Sequence, residues 1–177
     1  MNDFSVSVAK IAQILDLKNF TDNIDLKKIK ITSSDVNRPA LQLTGYFAHF
    51  EQSRIQMIGN VEYAYIQQMS DEEKRIRYSA FLQFEIPCVI FCRDLLPDAI
   101  FIEQAEKNHV PILGTSRPTS EFMAELIYTL AEKLAPSITV HGVLVDVYGE
   151  GLMITGDSGI GKSEAALELI REQWAKA

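Results

Sequence analysis

The sequence is poor in the residues that build several common classes of protein. It has two cysteines and three histidines in 177 residues. That is too few for the disulfide framework of a small secreted domain or for a structural zinc site with four Cys/His ligands. No apolar run approaches the roughly 18 residues of a membrane-spanning helix. The amino terminus, MNDFSVSVAKIAQIL, has neither the basic start nor the unbroken apolar segment of a signal peptide. The chain therefore reads as cytoplasmic, with no membrane partner. Positive charge is also scarce: the formal net charge is -7, and the densest basic stretch is DLKKIK. That leaves no electrostatic footprint for a phosphate backbone, so nucleic acid is not expected as a partner.

What is present is a globular composition, with 47% hydrophobic and 23% charged residues, which can bury a core. The length suits one domain, or one domain and the beginning of a second, since domains cluster near about 100 to 150 residues.

The first three quarters of the chain alternate between two patterns. VSVAKIAQIL places Val8, Ile11, Ala12 and Leu15 on one face at helical spacing. TDNIDLKKIKITSSDVNRPALQLTG reads as strand, turn and loop, with Pro39 and Gly45 as breakers. RIQMIG reads as a short strand, followed by helical NVEYAYIQQM and DEEKRIRYSAFLQF, with Asn60 and either Ser70 or Asp71 as N-caps. PCVIFCR is an apolar strand whose Cys88 and Cys92, four apart, fall on one side as reduced core thiols. PDAIFIEQAEKNH predicts a helix with Pro97 in its first turn, and VPILG another buried strand. SEFMAELIYTLAEKLA predicts a helix capped by Thr119 or Ser120, with Phe122, Leu126, Ile127 and Leu130 on one face. Strands alternating with helices imply parallel pairing and an α/β layered domain over residues 1–134.

At APS, residues 135–137, the pattern changes. ITVHGVLVDVYGEGLMITG reads as a β-hairpin turning at YGEG, and its second strand runs directly into a glycine-rich loop. Residues 135–177 thus form the start of a second domain, which lacks strands to cover its faces. On this reading the second unit exposes apolar surface and, alone, binds nucleotide poorly.

Gly156, Asp157, Ser158, Gly159, Ile160, Gly161, Lys162 and Ser163 satisfy the phosphate-loop pattern G-x-x-x-x-G-K-[ST], with a strand before it and a helical GKSEAALELI after it. The glycines permit torsions that turn successive N–H groups inward toward phosphate oxygens. The following helix adds unpaired amides and the positive end of its dipole. Lys162 supplies a cation that can follow charge along the terminal phosphates, and the Ser163 hydroxyl is a hard donor suited to Mg2+. A glycine-rich turn without a ligand is the plain alternative. Asp146 and Glu150 lie in or beside the hairpin, with no pattern that brings them to the loop.

HGVLVDVYGEGLMITGDSGIGKSE, as one uninterrupted stretch, resembles the bifunctional HPr kinase/phosphorylase family of bacteria. SSDVNRPALQLTGYFAHFEQSRIQMIGNVEYAY and PCVIFCRDLLPD followed by VPILGTSRPTSEFM resemble its amino-terminal domain in the same order. The resemblance runs over about residues 4–170. It implies an amino-terminal α/β regulatory and assembly domain followed by a phosphate-loop kinase domain. It also implies a protein kinase acting on a regulatory serine of the phosphocarrier HPr, with ATP or pyrophosphate as donor and Mg2+ as cofactor. The same family reverses the reaction by phosphorolysis and assembles as homo-hexamers.

By the same resemblance Lys162 is the active-site lysine, Ser163 the Mg2+ ligand, and His141 an active-site histidine. Read without it, a histidine at the start of an apolar strand is by default structural. His49 and His109 find no counterpart and read as surface or helix-end residues. Ser34, Asp35, Asn37 and Arg38 of SSDVNRP read as loop polarity rather than as an anion site. The chain departs from the family pattern at Ala165, where a threonine is usual. After Arg171 the family continues to paired aspartates, one of them the proton acceptor, and to a loop that touches HPr. The competing expectation is a non-catalytic regulatory or oligomerisation module.

Overall fold

The structure, a computed structural model, describes residues 4–136 and 138–175. The chain divides into two compact units, Met1–Ala135 and Pro136–Ala177.

The first unit is built on a five-stranded sheet in the order β2-β7-β6-β5-β4. Four strands, β4 (Val36–Asn37), β5 (Ile55–Ile58), β6 (Val89–Phe91) and β7 (Ile112–Gly114), run parallel. The edge strand β2 (Lys18–Asn19) is antiparallel to β7, pairing Lys18 with Gly114 and Asn19 with Leu113. The mostly parallel α/β sheet expected from the alternating pattern is therefore present. A separate two-residue ladder joins β1 (Val6–Ser7) to β3 (Lys30–Ile31).

Buried strands of a parallel sheet must feed apolar side chains to both faces, and these do. Ile55, Met57, Cys88, Ile90, Cys92 and Leu113 join α1 (Val8–Ile14) and α5 (Thr119–Leu134) in one core. Ile58, Val89, Phe91 and Ile112 join α2 (Asn60–Gln67), α3 (Asp71–Leu82) and α4 (Ala99–Lys107) in the other. Cys88 and Cys92 thus share a face with Ile90, as their spacing predicts, and both are free and buried. Burial pushes the Cys88 thiol up to about 12 and the Cys92 thiol up to about 11, so both are protonated near neutral pH.

Helix starts differ from the expected ones in instructive ways. Ser70 caps α3 as predicted, its hydroxyl accepting from Glu73 N while the Glu73 carboxylate accepts from Ser70 N. Asn60, by contrast, is already the first helical residue of α2, because the cap is Gly59. The capping oxygen comes from inside the helix: Glu62 Oε2 accepts from Gly59 N at 3.0 Å and from Arg38 Nη2 at 2.7 Å. Likewise Thr119 opens α5 rather than capping it; Pro118 holds the cap position. Pro97 lies just before the Asp98 cap of α4, outside the first turn. On α5 the buried face carries Phe122, Leu126 and Leu130, whereas Ile127 stays 39% exposed at the edge of that stripe. SSDVNRP does yield β4, and its Arg38 and Asn37 bond Glu62 and Gln56 within the fold.

The second unit contains a hairpin of β8 (Gly142–Val147) and β9 (Glu150–Thr155), then α6 (Lys162–Ala175). Its turn is the two residues Tyr148 and Gly149, both at positive φ, 56° and 83°, the geometry of a type I′ hairpin. Asp146 Oδ1 accepts from Gly149 N at 2.9 Å and so serves the turn. Among the described residues no helix is long and apolar enough to cross a membrane.

Candidate phosphate-binding site

The hairpin register positions the site. Gly142 pairs with Thr155 at its open end, so the residue before β8, His141, lies beside the residue after β9, Gly156. Asp146, which pairs with Gly151 near the turn, is thereby held toward the opposite end of the hairpin. Neither Asp146 nor Glu150 lines the cavity at the loop.

The loop between β9 and α6 has positive φ at Gly156, Gly159 and Gly161, most strongly left-handed at the last two. Gly159 and Gly161 have φ of 83° and 94°, in the region where a side chain is strained. The first intrahelical bond of α6 runs from Ala165 N to Gly161 O at 3.0 Å. The amides of the preceding turn have no carbonyl four residues back to pair with, which is the arrangement that holds anions at a helix start.

Lys162 is nearly buried, at 9% exposure. Its ammonium donates to the carbonyl oxygens of Gly156 at 2.8 Å and Asp157 at 2.6 Å. An ammonium has three donors, so one remains for a ligand while two brace the loop. Lys162 is therefore placed as a fixed cation rather than a swinging arm.

A cavity of about 290 Å³ opens here, with His141, Ser158, Lys162 and Ser163 in its wall. The elements thus bring His141 from the hairpin to the same space as the lysine and serine of the loop. Gly159 and Gly161 line it too. Gly156 and Asp157 contribute carbonyls that hold Lys162, and Ile160 points away at 69% exposure. Two lining residues, Val143 and Glu164, were not singled out from sequence. Glu164 had a signal: it is the third residue of α6, in the first turn, where an acidic side chain complements the helix dipole.

Among the described residues no group of three or more His, Cys, Asp or Glu side chains converges to hold a metal. Among the described residues the cavity wall offers a cation the exposed Ser163 hydroxyl and the Glu164 carboxylate. That donor set suits Mg2+ bound mainly by phosphate oxygens and water, with one or two protein oxygens.

Comparison with known proteins resolves the lineage. The family model described as HPr Serine kinase N terminus matches residues 6–130, and that described as HPr Serine kinase C-terminal domain matches residues 132–175.

This chain belongs to the HPr serine kinase family.

An HPr kinase/phosphorylase of Lachnoclostridium phytofermentans is 51% identical over 168 residues, 95% of this chain and 54% of that protein. One from Clostridium botulinum is 44% identical, covering 94% of this chain and 54% of the relative. One from Clostridium tetani is 46% identical, covering 88% and 51%. The chain thus spans about half the length of the curated relatives it matches. Among solved structures, the CBS and DRTGG domains of the regulatory region of Clostridium perfringens pyrophosphatase share 16% identity at TM-score 0.45. They cover 68% of this chain and 45% of that one, which is too remote to bear on function.

Proposed function

We propose that this chain supplies the phosphate-holding side of a bifunctional HPr kinase/phosphorylase. In one direction that protein transfers a phosphoryl group from ATP or pyrophosphate to a serine of HPr. In the other it removes the group by phosphorolysis. The observation that carries the proposal is the shared cavity, which His141 beside the hairpin lines together with Lys162 and Ser163 of the loop.

In the forward direction the serine oxygen attacks the terminal phosphorus, and the bond from that phosphorus to the bridging oxygen breaks. ADP departs, or inorganic phosphate when pyrophosphate is the donor, and the serine proton passes to a base. Lys162 and the loop amides hold the terminal phosphates through the change in charge. Ser163 offers its hydroxyl to Mg2+, which when bound neutralises charge on the phosphate oxygens. His141, at the cavity wall, is positioned to hydrogen-bond a phosphate oxygen or the attacking group. The family resemblance assigns the base to an aspartate beyond the residue matching Arg171. In phosphorolysis the oxygen of inorganic phosphate attacks the phosphoserine, the phosphorus–serine oxygen bond breaks, and the serine leaves protonated as pyrophosphate forms. A base that returns its proton satisfies reversibility.

On the same resemblance Met1–Ala135 serves regulation and assembly, and the full-length protein forms hexamers. The expected test result, in a full-length protein carrying these residues, is HPr serine phosphorylation with ATP and Mg2+ that Lys162→Ala abolishes. Normal kinase activity in that variant would remove the loop from the mechanism.

A second reading, a non-catalytic regulatory module, is favoured for the chain by itself by one observation. The second unit leaves Leu144, Leu167 and Trp174 at 72%, 56% and 78% exposure. Incubating the purified chain with HPr, Mg2+ and ATP separates the two readings. Serine phosphorylation rejects the module, whereas no phosphorylation and no ATP binding by calorimetry support it.

A further inference from the structure

The first unit has a cavity of its own, of about 270 Å³. It lies outside the carboxyl ends of β6 and β7, where open α/β sheets place ligands. Its walls come from three segments: the approach to β2, the loop after β6 and the loop after β7.

The loops are pinned to each other. Asp94 N donates to Thr115 O at 3.0 Å, Arg93 N to Arg117 O at 3.1 Å, and Thr115 N to Phe91 O at 2.9 Å. Gly114 is required on the floor, since a Cβ there would lie 2.5 Å from the Phe20 ring. The cavity is thus preformed rather than a gap between mobile loops.

Its chemistry is balanced in sign. Asp16, Asp94, Lys18 and Arg117 line it with two side chains of each sign, and Leu95 and Leu96 add apolar surface. Neither carboxylate has an ion-pair partner among the described residues, and Lys18 has none either, its ammonium lying 5.0 Å from the Phe20 ring centroid. Arg117 is already engaged by Glu125 at 2.7 Å, which leaves Lys18 as the principal cation.

Both carboxylates sit on left-handed backbone, with φ of 50° at Asp16 and 55° at Asp94. That conformation is sparsely populated, and Asp and Asn tolerate it best.

A polyanion would meet the two carboxylates and a polycation the two cations, so neither fits. A small ligand with one charge of each sign and an aliphatic body satisfies every wall. We propose that this cavity binds a neutral aliphatic amino acid, its ammonium toward Asp94 and Asp16, its carboxylate toward Lys18, and its side chain against Leu95 and Leu96.

The test is calorimetric titration of L-leucine into the full chain. Saturable binding is expected, and Asp94→Asn and Lys18→Ala each weaken it at least about tenfold. Asn keeps the left-handed backbone available, so loss of binding in that variant does not reflect misfolding. 4-Methylpentanoate, which lacks the ammonium, and isoamylamine, which lacks the carboxylate, are each expected to bind at least about tenfold more weakly than leucine. Absence of saturable leucine binding overturns the proposal. So does equal affinity for 4-methylpentanoate, which would make the cavity a simple anion site, or unchanged leucine affinity in both variants.

Discussion

The two units have similar fractions of apolar residues and differ in how much they bury. Met1–Ala135 closes a sheet between two helical layers, and its Phe81, Phe101 and Phe122 are at most 1% exposed. In Pro136–Ala177 a two-stranded ribbon and one helix bury only Val145, Lys162 and Ala166 among the described residues. Within the described residues Leu144, Leu152 and Met153 of the hairpin are exposed, because one helix covers only one face of a two-stranded ribbon. Local signals, a type I′ turn and a glycine loop, suffice to shape a phosphate cradle.

The largest effect that would sharpen this contrast is in the first core. Phe122→Ala removes a fully buried ring from α5 and is expected to cost about 3 to 5 kcal/mol by chemical denaturation. A cost below about 1 kcal/mol would mean the core is looser than drawn. Next comes Lys162→Ala, which removes the loop brace as well as the cation. Pyrophosphate affinity, expected to be weak in this chain, falls by about 100-fold, or about 2.7 kcal/mol, in calorimetry with Mg2+.

Ser70→Ala removes the hydroxyl half of the reciprocal cap of α3, leaving the backbone N–H that donates to Glu73, and is expected to cost about 1 kcal/mol. Its pH dependence has a definite sign. The backbone and side-chain hydrogen bonds from Ser70 hold the Glu73 carboxyl below its ordinary range. That stabilisation is present above the unfolded carboxylate value and is lost as pH falls through the folded one. The acid limb of the stability curve flattens only in part in the variant, because the backbone donor, the larger cause, remains. The smallest effect is in the second unit: Leu144→Ala, at a side chain 72% exposed, changes stability by no more than about 0.5 kcal/mol. A loss of several kcal/mol there would show that the ribbon is packed after all.

How much of this was legible in sequence depends on element length. β5, β6 and β7 announce themselves as apolar runs, and α3 and α5 as long periodic stretches, so the α/β sheet could be read directly. β1, β2, β3 and β4 are two residues each; no periodicity can show in two residues, and the antiparallel edge went unread. The starts of α2 and α5 differ from the polar-cap expectation because Glu62 caps α2 from its third position and Pro118 precedes α5. At the loop, the spacing of Gly156, Gly161, Lys162 and Ser163 carries its own geometry. The placement of His141 came from resemblance, and only the register of Gly142 with Thr155 supplies the physical reason for it. Glu164 is legible in sequence as an acidic first-turn residue, but only the fold shows that it lines the cavity.

The central contrast, a self-sufficient first unit and an open second unit that holds the phosphate loop, is tested most directly by residue-resolved hydrogen exchange with and without millimolar pyrophosphate and Mg2+. Amides of β5, β6, β7 and α5 are expected to be strongly protected in both conditions, and those of β8 and β9 to exchange quickly. Added pyrophosphate is expected to slow only residues 156–165. Equal protection of both units without ligand, or slowing confined to the first unit, would contradict the account.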